Sequence, residues 1–226
     1  MREVIEIQLS AIPRETEVLR LLGFREGQTQ IAPPMAKLIK SASATGFKLL
    51  NPRAAYCEVE TPAEFGAGGV FQKAEKLMIG VITIGSALED AVDQYINERD
   101  LSAAMVLDAY GSAAAEAGVV EVHNIICKNA DAGGFVAGRR LSPGYPKWPI
   151  EQQKNLFEYL ESKTAGIQLN EFFVMTPRKS ISFGIPFGRS MAAEDPELGC
   201  RYCNMLHCEF RRHPAIADGG GADWES

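Results

Sequence analysis

The spacing of apolar residues changes several times in the first part of the chain, and each spacing predicts a strand or a helix. Apolar and polar residues alternate over residues 1–12, which predicts a first strand. After Pro13, apolar residues at helical spacing predict a short helix that ends at Gly23. The two prolines at 33–34 fit the first turn of a second helix, which is predicted to run over residues 35–44.

The middle of the chain predicts two strands followed by two helices. Residues 47–60 and 76–84 are predicted strands, and the second is an apolar run typical of a sheet interior. Ser86 is expected to cap a helix that ends near residue 98. A helix rich in alanine and glycine begins near Ser102. Because its small side chains allow neighbouring elements to approach closely, we expect this helix to lie at the centre of the fold.

The last part of the chain is predicted to contain a loop, a helix and a pair of strands. Glycine and asparagine mark a loop over residues 129–138, and a helix after Pro149 is expected to end at Gly166. Residues 167–175 and 180–187 are predicted to form a hairpin-like pair around a Thr-Pro-Arg-Lys turn.

Together these elements predict one α+β domain with a mainly antiparallel sheet flanked by helices. The domain is expected to occupy residues 1–190. A cysteine-rich C-terminal segment and a loose tail are expected over residues 191–226, where three glycines precede the last residues.

Composition and charge narrow the class of protein. The 226 residues are 46% hydrophobic and 23% charged, and no run approaches the ~18 apolar residues of a spanning helix. The N-terminus carries no signal-peptide pattern, so we expect a cytoplasmic protein without a membrane partner. A net charge of -6 without a basic tract argues against nucleic-acid binding. The chain also lacks the usual hydrolase and dinucleotide-binding motifs.

The small-residue helix carries a row of polar residues at helical spacing. Asp108, Ser112 and Glu116 are four residues apart, and His123 follows Glu116 by seven, so the four share roughly one stripe. A carboxylate on an alanine-rich helix needs either water or a partner, because burying an isolated charge is costly. The stripe is therefore either a solvated helix face or one wall of a binding site.

A segment stiffened by proline follows that helix and combines a guanidinium with an aromatic ring. Arg140 has the forked donors that match a carboxylate in a bidentate way. Pro143 and Pro146 restrict the backbone around Gly144, which lets main-chain groups approach a ligand closely. The ring of Tyr145 can pack internally, or it can stack with a planar ring or attract a cation.

Three cysteines near the C-terminus form a second candidate site. Cys200, Cys203 and Cys208 lie within nine residues, with His207 and His213 nearby. This tight spacing fits a metal or cluster ligand set, with zinc or an iron–sulfur cluster as the occupant and the fourth ligand unknown. The alternative is a set of plain reduced thiols, since five cysteines in a reducing compartment do not predict disulfides.

Two motifs in order resemble the activation domain of cobalamin-dependent methionine synthase. The first is Arg140-x-Ser-Pro-Gly-Tyr-Pro146. The second is Leu169-Asn-Glu-x-x-x-Met-x-Pro-x-x-Ser-x-Ser182. The resemblance is strongest over residues 105–185. Residues 17–23 and 83–89 extend it and are similar to stand-alone relatives of that domain.

The resemblance implies an S-adenosylmethionine-binding module that reactivates a corrinoid protein in trans. Arg140, Ser142, Gly144 and Tyr145 become ligand contacts, and Glu116 matches the family's helical ligand-binding glutamate. Cobalamin is expected to be held by the partner, which is a corrinoid protein or a methionine synthase lacking its own activation domain. The module would support reductive methylation of cob(II)alamin with a flavodoxin or ferredoxin as electron donor, and it needs no nucleophile of its own.

Two departures from the family leave other functions open. Residues 184–189 replace the His-Pro and the ligand-contacting tyrosine that usually follow the serine motif, and the cysteine group at 200–208 is absent from the synthase domain. One alternative is an electron-transfer accessory factor that works through these cysteines. Another is a docking module that recognises the cobalamin-bearing domain without binding a ligand.

Overall fold

The structure is a computed structural model that describes residues 3–24, 31–59, 65, 71, 74–145 and 148–189. The described residues form helices and an antiparallel sheet, which is the pattern of an α+β fold. In chain order the elements are β1 (Ile5–Gln8), α1 (Glu15–Leu21), α2 (Pro33–Leu49), β2 (Arg53–Val59), β3 (Lys76–Thr83), α3 (Ala87–Asn97), α4 (Leu101–Ala132), β4 (Val136–Ala137), α5 (Gln152–Leu160), β5 (Gln168–Leu169), β6 (Met175–Thr176) and β7 (Ser180–Gly188).

Within the described part of the chain, five strands form one antiparallel sheet in the order β1-β2-β3-β7-β4. The central strand β3 pairs with β2 on one side and β7 on the other. Its side chains alternate between two apolar cores: Ile79 and Val81 lie in the core that includes α5, whereas Ile82 lies in the core that includes α4. Because both faces are covered, β3 carries only apolar residues and one glycine between Lys76 and Thr83. The predicted antiparallel α+β fold is confirmed.

The 32-residue helix α4 crosses one face of the sheet and packs against α1, α2 and α3. Asp100 caps its first turn by accepting a hydrogen bond from the Ala103 N–H at 3.0 Å. Small residues of the helix itself, such as Ala113 and Ala114, are buried, which lets the helix lie close to its neighbours. The prediction of a central small-residue helix is confirmed.

Two predicted boundaries were wrong because two helices run further than the local sequence pattern indicates. Helix α2 runs to Leu49, so residues 47–49 are helical rather than part of the predicted strand, and β2 begins at Arg53. Helix α4 likewise runs to Ala132, into the predicted loop. Most of the added residues, 47–49 and 129–132, are exposed, so a pattern of buried apolar positions does not mark either helix end.

Three further expectations need correction. The strands predicted around the Thr-Pro-Arg-Lys turn do not pair with each other: β5 pairs with β6, and β7 pairs with β3 and β4. Ser86 occupies the N-cap position of α3 but its side chain makes no capping hydrogen bond. Helix α5 ends at Leu160, six residues before Gly166. Pairing of β7 with distant strands buries it between two cores, which a local hairpin would not do.

The C-terminal prediction concerns residues that the structure does not describe. The predicted boundary at residue 190 and the segment 191–226, with its cysteines, lie outside the described ranges. Among the residues with described positions, no helix is both long enough and apolar enough to cross a membrane.

Candidate functional site

Glu116 and Arg140 meet where the chain returns from the central helix to the edge of the sheet. Glu116 lies halfway along α4, and Arg140 follows β4, which pairs with the end of β7. This pairing brings the chain back alongside α4. The distance between Arg140 Nη2 and Glu116 Oε2 is 3.5 Å, and their side chains are 12% and 37% exposed, respectively. Two of the residues predicted from the sequence are therefore in contact.

The guanidinium of Arg140 is the more deeply buried partner of this ion pair. Its Nε is buried, and no group in the described ranges accepts a hydrogen bond from it. A guanidinium carries five N–H donors, and a contact at 3.5 Å is longer than a strong charge-assisted hydrogen bond. The arginine therefore keeps donor capacity for a second anionic group.

The other predicted ligand residues lie in one tightly turned segment, residues 140–145, which we call the proline–glycine segment. Gly144 has a φ of +94°, in the region that favours glycine. Its N–H donates to the Trp148 carbonyl at 2.8 Å, and the Tyr145 N–H donates to the Ser142 carbonyl at 3.1 Å. Tyr145 is 42% exposed. The segment thus presents an accessible aromatic ring on an ordered backbone, directly after Arg140.

The N-terminal half of the predicted polar stripe on α4 contacts Lys179. Lys179, from the turn before β7, places its Nζ 2.7 Å from Asp108 Oδ1 and donates to Ser112 Oγ at 2.7 Å. His123 is buried at 2% exposure. The stripe is therefore neither a purely solvated face nor one continuous site wall, because its N-terminal half is ion-paired with Lys179.

Sequence reasoning missed Lys179 and its neighbour Glu89. Glu89 lies in the first turn of α3, is 8% exposed, and accepts a hydrogen bond from the Lys179 N–H at 2.5 Å. Arg178 Nε contacts the same carboxylate at 3.4 Å, and the hydrogen bond to Glu89 raises the pKa of the Arg178 guanidinium. The only sequence signal was an acid in the first turn of a helix, which is common. These contacts fix the turn before β7 against α3 and α4.

A family model describes the stretch of chain that holds this site. The model for the vitamin B12-dependent methionine synthase activation domain matches residues 70–194, more than half of the chain. The chain belongs to this activation-domain family. The resemblance inferred from the two motifs is confirmed, and all five predicted ligand residues lie inside the match. Cys200, Cys203 and Cys208 lie beyond it.

A solved structure has the same fold as this activation-domain chain. The crystal structure of the MetH reactivation domain bound to AdoHcy matches with a TM-score of 0.64 at 18% identity. The match covers 86% of this chain and 81% of that chain. Comparison with curated proteins found no match. At this identity the structural likeness establishes the fold, and the α+β architecture agrees with it.

The predicted metal site lies near the C-terminus. Cys200, Cys203 and Cys208 lie outside the described ranges, so binding of zinc or an iron–sulfur cluster stays a prediction. Elsewhere, in the part of the chain with described positions, no group of three or more His, Cys, Asp or Glu residues could hold a metal. Burial and the nearby Asp131 charge raise the pKa of the Cys127 thiol, which disfavours its thiolate.

Proposed function

We propose that this chain binds S-adenosylmethionine beside Glu116 and Arg140 and uses it to reactivate a corrinoid protein. The observation that carries the proposal is the mostly buried Arg140 guanidinium, 3.5 Å from Glu116 and next to an ordered segment with an exposed Tyr145. Membership of the activation-domain family supports it. The bound AdoHcy of the solved reactivation domain, a demethylated form of the same ligand, supports it further.

The chemistry of the site residues matches the charged end of this ligand. S-adenosylmethionine has an α-carboxylate, an α-amine and a positive sulfur. Arg140 suits the carboxylate because its planar donors fit both oxygens. Glu116 suits the amine or offsets the charge on sulfur. A ligand that sets its carboxylate against the remaining donors of Arg140 and its amine beside Glu116 satisfies both charges.

The turned part of the segment suits the nucleoside end. Gly144 has no Cβ, so the backbone there can approach the adenine edge closely. The ring of Tyr145 offers a face for stacking against the nucleoside, and the hydroxyl of Ser142 offers a hydrogen bond. These assignments use residues within one turn, so one ligand can reach all of them.

In this function the chain orients a methyl donor, and the partner holds the cobalamin. The partner is a corrinoid protein or a methionine synthase without its own activation domain, acting in trans. The corrin cobalt, reduced by one electron from a flavodoxin or ferredoxin, supplies the nucleophile that takes the methyl group. The residues of this chain bind the donor, hold the methyl group towards the partner and exclude water. No nucleophilic side chain is required.

Calorimetric titration with S-adenosylmethionine and S-adenosylhomocysteine tests the binding. Arg140→Ala should weaken binding by about 1.5–3 kcal/mol, or roughly 10- to 150-fold, the range for a hydrogen bond to a charged group. Arg189→Ala is the matched control, because Arg189 is an exposed arginine whose ion pair is with Glu75. Unchanged affinity in Arg140→Ala would remove Arg140 from the site. Adding a candidate corrinoid protein and a reductant then tests methyl transfer in trans.

The cysteine group supports a second candidate, an electron-transfer or metal-binding accessory role. Three thiols within nine residues are more than a core needs, and they lie beyond the family match. Iron and zinc analysis with a visible absorption spectrum after anaerobic purification tests it. A coloured, iron-containing protein that binds no S-adenosylmethionine would favour this role, and Cys203→Ser should then remove the colour.

A further inference from the structure

Trp148 follows the proline–glycine segment and is completely buried, at 0% exposure. Its ring packs edge-on against Phe71, with 5.1 Å between the ring centroids. The six-membered ring of the indole also lies against Gly184 of β7, beside Phe71: a Cβ added at Gly184 would be 2.8 Å from Trp148 Cη2 and 3.4 Å from Phe71 Cζ. Real Cβ atoms essentially never approach so closely, so the tryptophan fits only because residue 184 is a glycine.

The same two residues hold the main chain of the segment. The Trp148 carbonyl accepts the Gly144 N–H at 2.8 Å, and the Trp148 N–H donates to the Tyr145 carbonyl at 3.0 Å. Gly184 exchanges two backbone hydrogen bonds with Leu141, at 2.9 and 2.8 Å. The turn that follows Arg140 is thus held by main-chain hydrogen bonds to Trp148 and Gly184, two residues that pack against each other.

We propose that the Trp148–Gly184 contact positions the proline–glycine segment for ligand binding, so that both residues are positioning residues. This inference rests on the proposed function. An unfixed turn would have to be ordered when the ligand binds, and each ordered residue costs free energy that would otherwise appear as affinity. The Trp148–Gly184 contact orders the turn when the protein folds, so ligand binding does not have to order it. Neither residue needs to touch the ligand to change its affinity.

A double-mutant cycle separates positioning from simple packing. Gly184→Ala should weaken S-adenosylhomocysteine binding about tenfold in protein that is still folded, because the added methyl displaces the ring. Trp148→Phe removes the ring atoms nearest residue 184 and also a buried indole N–H that has no partner among the described residues. The double variant should therefore bind within about threefold of Trp148→Phe alone.

Gly46→Ala is the matched control. Gly46 lies in α2, where an added Cβ would be 2.7 Å from Tyr110 Cε1, against an aromatic ring of a different core. This variant should lose stability in urea unfolding, yet its folded fraction should bind the ligand as the wild type does. If Gly184→Ala behaves like Gly46→Ala, with reduced stability and unchanged affinity, the positioning role is refuted.

Hydrogen exchange tests the contact without any ligand. The Gly144 and Leu141 amides should exchange about tenfold faster in Gly184→Ala than in wild type, and the double variant should restore their protection. Unchanged exchange refutes the proposal, even if the wild type binds no S-adenosylmethionine and the proposed function itself fails. Should Gly184→Ala not fold, Trp148→Leu replaces it, with faster Gly144 exchange and weaker binding as the expected result.

Discussion

Breaking the ion pair between Glu116 and Arg140 should cost very different amounts depending on which partner is replaced. Arg140 is 12% exposed, whereas Glu116 is 37% exposed. Glu116→Gln leaves a positive charge in a place that water reaches poorly. Arg140→Met removes that charge, keeps an apolar chain of similar length, and leaves a carboxylate that water can solvate. The glutamine variant should therefore be the less stable of the two.

The magnitude follows from the geometry. At the observed 3.5 Å and an effective dielectric constant of about 20, the gross attraction is about 5 kcal/mol. Solvent at Glu116 and relaxation of both side chains reduce this, so we expect Glu116→Gln to lower the free energy of unfolding by about 1.5–3 kcal/mol. Arg140→Met should lower it by about 0–1 kcal/mol, because no charge is left buried and unpaired.

Urea unfolding followed by circular dichroism measures both values, provided that the slope of the transition is the same in each variant. Lys154 and Glu158 supply the control pair: they are 3.9 Å apart and 72% and 63% exposed. Replacing either by Met or Gln should change stability by no more than about 0.5 kcal/mol. The reasoning is refuted if Arg140→Met costs as much as Glu116→Gln.

Three further predictions concern the scaffold around the site. Gly118→Ala should raise the free energy of unfolding by about 0.5–1 kcal/mol, because the new methyl makes only ordinary contacts in a helix interior. Gly46→Ala should lower the free energy of unfolding, because its new methyl meets the Tyr110 ring. Thermal melts in which both variants shift in the same direction would contradict this. Glu89→Ala should lower the free energy of unfolding in urea by about 1–3 kcal/mol, because the Lys179 N–H loses its carboxylate acceptor. A decrease below about 0.5 kcal/mol would show that water replaces this acceptor fully. Burial raises the pKa of the Tyr110 hydroxyl, so the folded state holds this proton more tightly than the unfolded state. The stability that the protonated hydroxyl contributes is therefore present below the ordinary pKa of about 10 and is lost as the pH rises above it. Tyr110→Phe should flatten the alkaline fall in stability, and an unchanged pH profile would exclude this cause.

The sequence alone determined the elements that depend on short-range patterns. Helix α4 was evident from its run of small residues, and β3 from an apolar run of the right length. The proline–glycine segment was also readable, because proline and glycine restrict or free the backbone wherever they occur. Its residues are contiguous, so no fold was needed to predict that they act together. Two motifs in order were enough to indicate the family.

Only the tertiary structure decided which distant residues meet. The pairing of β7 with β3 and β4, instead of with β5, places Gly184 against Trp148 and brings Arg140 to Glu116. The same arrangement directs Lys179 towards α4 rather than into solvent. Local preferences contribute a few tenths of a kcal/mol per residue, whereas burying β7 between two apolar cores involves many side chains at once. Burial of the strand therefore outweighs local preference and sets the pairing, and it depends on the whole sheet, which no short stretch of sequence contains.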